Sequence, residues 1–211
     1  MIGIIDYGMG NLHSVSSALK RLEQPYFLSD KKEELDQADK LLLPGVGSFK
    51  DAMLILNGTG LTEFIKKEAA AGKPLLGICL GMQLLFEESE ENGLTKGLGL
   101  LPGRVERFSG VANNGEAYKV PHMGWNKLQY NRRSPLIDNL EEGFVYFVHS
   151  YVVQSDDPET VIAEAQYGDR AVPAVVGRNN IFGTQFHPEK SSEVGMTILD
   201  NFCNLAEEAK A

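Results

Sequence analysis

Between Pro74 and Phe86 the chain changes its hydrophobic period. Pro74-Leu75-Leu76 belongs to a short apolar run of the kind that forms a buried strand. Leu80-Gly81-Met82-Gln83-Leu84-Leu85-Phe86 instead carries apolar residues at helical spacing. Cys79 falls at the change, with Gly77 two residues before it and Gly81 two residues after it. A sharp strand-to-helix elbow needs small residues at those positions, because side chains there would collide as the backbone folds back. The start of a helix also offers free N–H groups and the positive end of its dipole, which favour a thiolate. A small, inert, buried cysteine at a strand end is the competing reading.

Around this elbow, strands and helices alternate. Ile2 to Asp6 reads as a buried strand, followed by the turn Tyr7-Gly8-Met9-Gly10-Asn11. Asn11 is placed to cap a helix over Asn11 to Glu23, whose Leu12, Val15, Leu19 and Leu22 form one apolar face. His13 is off that stripe and reads as solvated. The Gly-x-Gly of the turn lacks the third glycine of a dinucleotide fingerprint. Tyr26 to Ser29 and Lys40 to Leu43 are further strands, with a charged helical turn at Lys31 to Ala38 between them. Pro44-Gly45-Val46-Gly47-Ser48-Phe49 follows at the carboxyl end of a strand, where glycines let a ligand approach main-chain N–H groups. Leu61 to Ala71 has helical spacing and ends at Gly72.

After the elbow, the acidic run Glu87 to Gly93 reads as a solvated helix end and loop. Its consecutive carboxylates lack the spacing of a calcium loop. From Arg104 onward, short β-branched and aromatic runs separated by turns predict hairpins and an antiparallel edge. Lys119 to Asn126, with Pro121, Gly124 and the tryptophan Trp125, reads as a loop, either a protein contact surface or a segment folded onto its own sheet. Strands are predicted at Phe144 to Tyr151, Val161 to Tyr167, Ala174 to Gly177 and Ile181 to Phe186. The last of these delivers His187-Pro188-Glu189. Pro188 biases His187 toward an extended conformation, so residues 187 and 189 can face one site. An amphipathic helix closes the chain through Val194, Ile198, Leu199, Phe202 and Leu205, with Ser191 or Ser192 as its N-cap and Cys203 packed beside its buried face.

A chain of 211 residues, 43% of them hydrophobic, fits one globular domain spanning 1–211. A net charge of -9 argues against nucleic-acid or anionic-membrane partners, which need clustered Lys and Arg. Two cysteines make no disulfide framework, the start lacks a signal-peptide pattern, and no apolar run is long enough to cross a bilayer. A soluble, reducing, cytoplasmic setting is expected. Four scattered histidines and isolated cysteines give no zinc spacing, so no metal is expected.

A thiol nucleophile needs a base, an orienting group for that base and donors for the oxyanion. Cys79, His187 and Glu189 supply the first three roles. The N–H groups of Gly45, Val46, Gly47 and Leu80 are candidates for the fourth. His122 and His149 compete as bases, but neither has a carboxylate two positions along.

The sequence resembles a known family. Gly-Ile-Cys-Leu-Gly-Met-Gln at 77–83, Pro-Gly-Val-Gly at 44–47 and His-Pro-Glu-Lys-Ser at 187–191 are similar to the class I (triad) glutamine amidotransferases. Asp-Tyr-Gly-Met-Gly-Asn at 6–11 and Val-Pro-His-Met-Gly-Trp-Asn at 120–126 are similar to glutaminase subunits of imidazole glycerol phosphate synthases. The resemblance implies a flavodoxin-like three-layer α/β sandwich, with a mostly parallel central sheet flanked by helices and an added antiparallel portion. It implies a cofactor-free hydrolysis of glutamine to glutamate and ammonia through a cysteine thioester. The ammonia would pass to a (β/α)8-barrel cyclase partner in a 1:1 heterodimer, which makes imidazole glycerol phosphate and aminoimidazole carboxamide ribotide in histidine biosynthesis.

Residue by residue, Cys79, His187 and Glu189 match the triad, and Gly45 and Gly47 the oxyanion strand. Gln83, Ser150 and Tyr151 match positions near bound glutamine, while Asn11, Met123, Trp125 and Lys190 match partner-facing positions. Ser48 stands where many relatives carry alanine. The family also suggests a glutaminase that is nearly silent until the cyclase holds its ligand. Three other readings are a glutaminase serving another synthase, such as a pyridoxal phosphate synthase, a redox-sensing or chaperone protein with a cysteine elbow on a similar sheet, and a purely structural or binding subunit.

Overall fold

Three apolar segments, β1 (Ile2–Ile5), β3 (Lys40–Gly45) and β4 (Leu75–Cys79), are buried at every residue, as strands covered on both faces must be. They lie side by side in parallel. With β2 (Tyr26–Ser29) at one edge and β13 (Ile181–Thr184) beyond β4, they give the order β2-β1-β3-β4-β13. This is the 2-1-3-4-5 order of flavodoxin-like sheets. The sheet continues antiparallel through β12 (Arg170–Arg178), β11 (Val161–Tyr167), β8 (His122–Tyr130) and β9 (Phe144–His149). A second, four-stranded sheet has the order β10-β7-β5-β6, built from β5 (Glu88–Ser89), β6 (Thr95–Lys96), β7 (Arg104–Arg107) and β10 (Tyr151–Gln154). This computed structural model describes residues 1–206; positions 207–211 of the expected domain lie outside the described residues.

Alternating side chains sort the strands onto two cores. Ile4, Leu42 and Ile78 pack with α1 (Leu12–Arg21) and α6 (Ser192–Cys203) through Val15, Leu19, Ile198 and Phe202. Ile5, Leu41 and Leu43 pack with α3 (Phe49–Thr59) and α4 (Leu61–Ala70) through Phe49, Leu56 and Ile65, and Leu35 of the short α2 (Lys32–Leu35) joins them. Helices therefore cover both faces of the parallel half. Among the described residues, no helix is long and apolar enough to cross a membrane.

Four local expectations need correction. Helix α3 has no counterpart in the sequence reading, because Asn57-Gly58-Thr59-Gly60 has the composition of a turn. In the fold, the Ser48 hydroxyl caps its start by accepting from Asp51 N–H, and Gly60 ends it in the left-handed region. Residues 122–126, expected as loop, begin β8, where pairing with β9 outweighs the local signal of Pro121 and Gly124. The expected strand Phe144 to Tyr151 divides at Ser150, its two parts joining different sheets. Finally, Ser191 occupies the N-cap position of α6 without capping it. Its hydroxyl instead donates to His187 O (2.7 Å) and accepts from Tyr146 N–H (3.0 Å).

Candidate active site

The elbow joins β4 directly to the short helix α5 (Leu80–Leu84), and Cys79 at the junction has φ 56° and ψ −112°. A non-glycine residue at such angles is held there by its surroundings. The surroundings are backbone. A Cβ on Gly77 would lie 2.5 Å from Gly81 O, one on Gly81 would collide with Leu43 O, and one on Gly45 would come within 2.7 Å of Gly81 N. The two elbow glycines are thus required for the predicted reason, and Gly45 belongs to the same close approach from the neighbouring strand.

His187 follows β13 with extended angles (φ −89°, ψ 105°), as expected before proline. Glu189 is not on extended chain. It sits in a 3-10 turn over Pro188–Lys190, which brings Oε1 to 2.9 Å from His187 Nδ1. The ring and its carboxylate partner are both buried. With Nδ1 occupied, Nε2 is the ring nitrogen left for Cys79, which lines the same cavity. Burial opposes the imidazolium, but hydrogen bonds to the Cys79 sulphur and to Glu189, together with the negative charge of both groups, raise the His187 pKa to about 10.

The turn after β3 reaches the same place. Gly45 is in register with Cys79 across the β3–β4 pair, and Val46, Gly47, Cys79, Leu80 and His187 all line one cavity of about 420 Å³. Of the expected oxyanion donors, Leu80 opens α5 beside the sulphur-bearing residue. The Val46 N–H is engaged elsewhere, donating to Met9 O at 2.9 Å. The side chain of Val46 is exposed, and Gly47 has φ +100°.

Gln83, Ser150 and Tyr151 also line this cavity. Gln83 Nε2 donates to Tyr151 O (3.1 Å) and to Gln185 Oε1 (3.0 Å). His149 also lines the cavity, but both of its ring nitrogens are engaged. Nδ1 lies 2.7 Å from Tyr151 O, Nε2 lies 2.9 Å from His122 Nδ1, and burial lowers its pKa to about 3. His122 is fully buried, depressed by desolvation, and paired to Asn126 through its other nitrogen. The two competing histidines therefore brace the wall and have no nitrogen left for Cys79.

Two residues of the site escaped the sequence reading. Glu91, within the run expected to be solvated, lines the cavity, and its Oε2 accepts from Phe49 N–H at the start of α3 (2.9 Å). Glu87 and Glu90 likewise accept backbone N–H groups of Gly103 and Arg107, so the run clasps backbone donors. Gln185 is completely buried with its Nε2 4.0 Å from Cys79 Sγ. Its position two residues before His187 was the available signal.

The expected partner-facing residues lie outside this cavity. Met123 and Trp125 are 59% and 51% exposed on β8, with Trp125 tilted against Tyr146 of β9 at 5.8 Å. Lys190 is exposed in the turn after His187, and Asn11 caps α1 by accepting from Ser14 N–H.

A strained cysteine on an elbow of a flavodoxin-like sheet, sharing one cavity with a buried His–Glu pair, places the molecule in a known class. The chain belongs to the class-I glutamine amidotransferase family, whose family model matches residues 3–205. Within that class it falls with the HisH subunits. It is 67% identical to the imidazole glycerol phosphate synthase subunit HisH of Geobacillus kaustophilus over 98% of this chain and 97% of that one. It is 57% identical to the HisH of Bacillus subtilis over 100% and 99% of the two chains. Among solved structures, a protein described as a glutamine amidotransferase superposes with a TM-score of 0.74 at 22% identity, covering 97% of this chain and 99% of the other, which is a likeness of fold. Identity at this level along the whole chain does not favour the readings as another synthase's glutaminase or as a redox-sensing protein.

Proposed function

We propose that this chain hydrolyses glutamine and supplies the ammonia to a cyclase within an imidazole glycerol phosphate synthase of histidine biosynthesis. The observation that carries the reading is Cys79 at a strained elbow, sharing a cavity sized for a small substrate with a His187 that is itself bonded to Glu189. Cys79 Sγ attacks the side-chain carboxamide carbon of glutamine. His187 gives its proton to the departing nitrogen, so that ammonia leaves and a thioester remains. A water then attacks the thioester, His187 takes its proton, and glutamate leaves as the sulphur regains the bond electrons. Glu189 keeps the imidazole oriented throughout. Thiol acyl transfer to water is complete without a cofactor.

The walls suit the substrate. Because both Gln83 N–H groups are spent on protein, its carbonyl oxygen is the group left for the cavity, and Glu91 adds a carboxylate beside it. Together with Ser150 and Tyr151 they offer acceptors for the α-ammonium of glutamine. Leu80 N–H and the Gly45–Gly47 turn serve the oxyanion. The turn does so only when the Val46 N–H leaves Met9 O and points into the cavity. Losing one such donor costs about 3 kcal/mol, a hundredfold or more in rate, which is enough to keep the resting subunit slow. The exposed Met123 and Trp125, with Asn11 and Lys190, form the face for a (β/α)8-barrel cyclase bound one to one. The whole chain acts as one domain in the cytoplasm.

Mixing the chain with a barrel cyclase and its ligand tests this. Glutamine-dependent and ammonia-dependent product formation are followed for wild type and Cys79→Ala. The variant is expected to lose the first and keep the second. Glutamine-dependent turnover surviving in Cys79→Ala would overturn the assignment, and equal glutamine hydrolysis with and without the ligand-bound cyclase would overturn the gating of Val46.

A further inference from the structure

Gln185 lies two residues before His187, in the bend just past β13, its own N–H donating to Ala174 O, and its side chain reaches toward the elbow. It is completely buried, and both ends of its amide are directed at the site. Its orientation follows from a single fixed acceptor. Tyr151 O can only accept, so the Gln83 amide must turn its NH2 toward it, at 3.1 Å. The second hydrogen of that NH2 then requires an acceptor, and Gln185 meets it with Oε1 at 3.0 Å. With its oxygen committed, Gln185 has only its NH2 to present to Cys79 Sγ, 4.0 Å away.

We propose that Gln185 is a positioning residue of the glutaminase site. It holds the Gln83 amide with its oxygen toward the cavity and aims its own N–H donors at the Cys79 sulphur. The inference rests on the glutaminase reading above and adds to it a residue that ties the nucleophile to the substrate wall. The 4.0 Å separation is at the outer limit of a contact to sulphur. The donor therefore gains most when negative charge on the sulphur draws it in. A buried amide in this setting has few alternatives, since a polar group turned away would lack a partner.

Two near-isosteric substitutions separate the two duties. Gln185→Glu keeps an acceptor for Gln83 but replaces the donor facing the sulphur with a carboxylate oxygen. Gln185→Met removes both. The readouts, taken on the complex with a barrel cyclase, are kcat and KM for glutamine, the rate of alkylation of Cys79 by iodoacetamide, and ammonia-dependent turnover as the control for folding and docking. Gln185→Glu is expected to slow alkylation and lower kcat about tenfold to a hundredfold with KM little changed, the loss typical of a hydrogen bond to a charged group. Gln185→Met is expected to raise KM as well, because Gln83 loses one of its two anchors.

A purely structural role would lower thermal stability and leave alkylation, kcat and KM of the folded fraction at wild-type values, and that result overturns the proposal. Should both variants fail the ammonia control, Gln185→Asn, which keeps both polar atoms but retracts them by one methylene, is read the same way: slowed alkylation supports the proposal and unchanged alkylation overturns it. Alkylation needs no glutamine, so a wild-type complex that failed to hydrolyse glutamine would refute the glutaminase reading alone, and the Gln185 comparison would still return an answer.

Discussion

At the elbow, Cys79 is surrounded by backbone that Gly77, Gly81 and Gly45 allow to close to within van der Waals distance. One strand over, the turn from Gly45 to Gly47 carries an exposed Val46 whose N–H is bound to Met9 O. Moving the elbow would require repacking two strand ends and a helix start. Moving the turn requires exchanging one hydrogen bond of about 1 kcal/mol net and rotating one peptide beside a glycine. On the function proposed above, the nucleophile and its base are built in permanently, whereas the oxyanion site is conditional. A subunit that works as proposed would carry its chemistry at all times and apply it when something outside turned one peptide.

The largest effect that separates the two regions belongs to the elbow. Gly81→Ala places a methyl against Leu43 O, and the expected outcome is loss of folded protein, on the order of 3–5 kcal/mol, together with all glutamine-dependent turnover. Thermal unfolding and turnover near wild type would show the elbow to be adaptable and would end the contrast. Next comes His187→Ala, expected to lower glutamine-dependent turnover about 10²–10⁴-fold while ammonia-dependent product formation persists. On the turn, Val46→Pro removes the N–H altogether. The ligand-activated rate should then fall about a hundredfold while the slow rate of the isolated subunit hardly changes. An unchanged activated rate would assign the oxyanion to other donors.

The effect of pH on stability is smaller and has a definite sign. The folded pKa of His187 is raised above its ordinary value near 6.5 to about 10. Its contribution is therefore fully present below the ordinary value and is lost as pH rises toward 10. The melting temperature should decline across that window, less steeply in Cys79→Ala, which lacks one of the groups that raise the pKa. Equal slopes would mean that the sulphur does not hold the imidazolium. Smallest is Cys203→Ala. Burial, with Asp200 nearby, pushes this thiol up to about 12, and the substitution should cost about 1 kcal/mol of stability with no change in turnover or in alkylation of Cys79.

Much of the parallel half was legible because each element there announces itself. Continuous apolar runs marked β1, β3 and β4, and glycines two residues either side of Cys79 marked the elbow. His187 and Glu189 were readable as a pair from their spacing, although a 3-10 turn and not extended chain makes the contact. What stayed hidden depends on pairing across the fold. Nothing local distinguishes the Glu91 carboxylate, which meets Phe49 N–H, from the carboxylates of a solvated run. Ser150 divides one apolar run between two sheets because His149 pairs with His122 while Tyr151 pairs with Arg107. Gln185 reads as a strand residue until Gln83 and Tyr151, far away in sequence, are brought beside it.

The register between β3 and β4 sets a further constraint. Gly45 stands opposite Cys79 because Leu41 stands opposite Leu75, four rungs down the ladder. The elbow and the turn after β3 are thus measured off a common origin deep in the core, as two arms cut to the same length. Removing a single residue from either strand would leave each loop intact in its own local chemistry and set it a rung short of the other. Spacing inside the buried strands is for that reason as much a part of the active site as the side chains that line it.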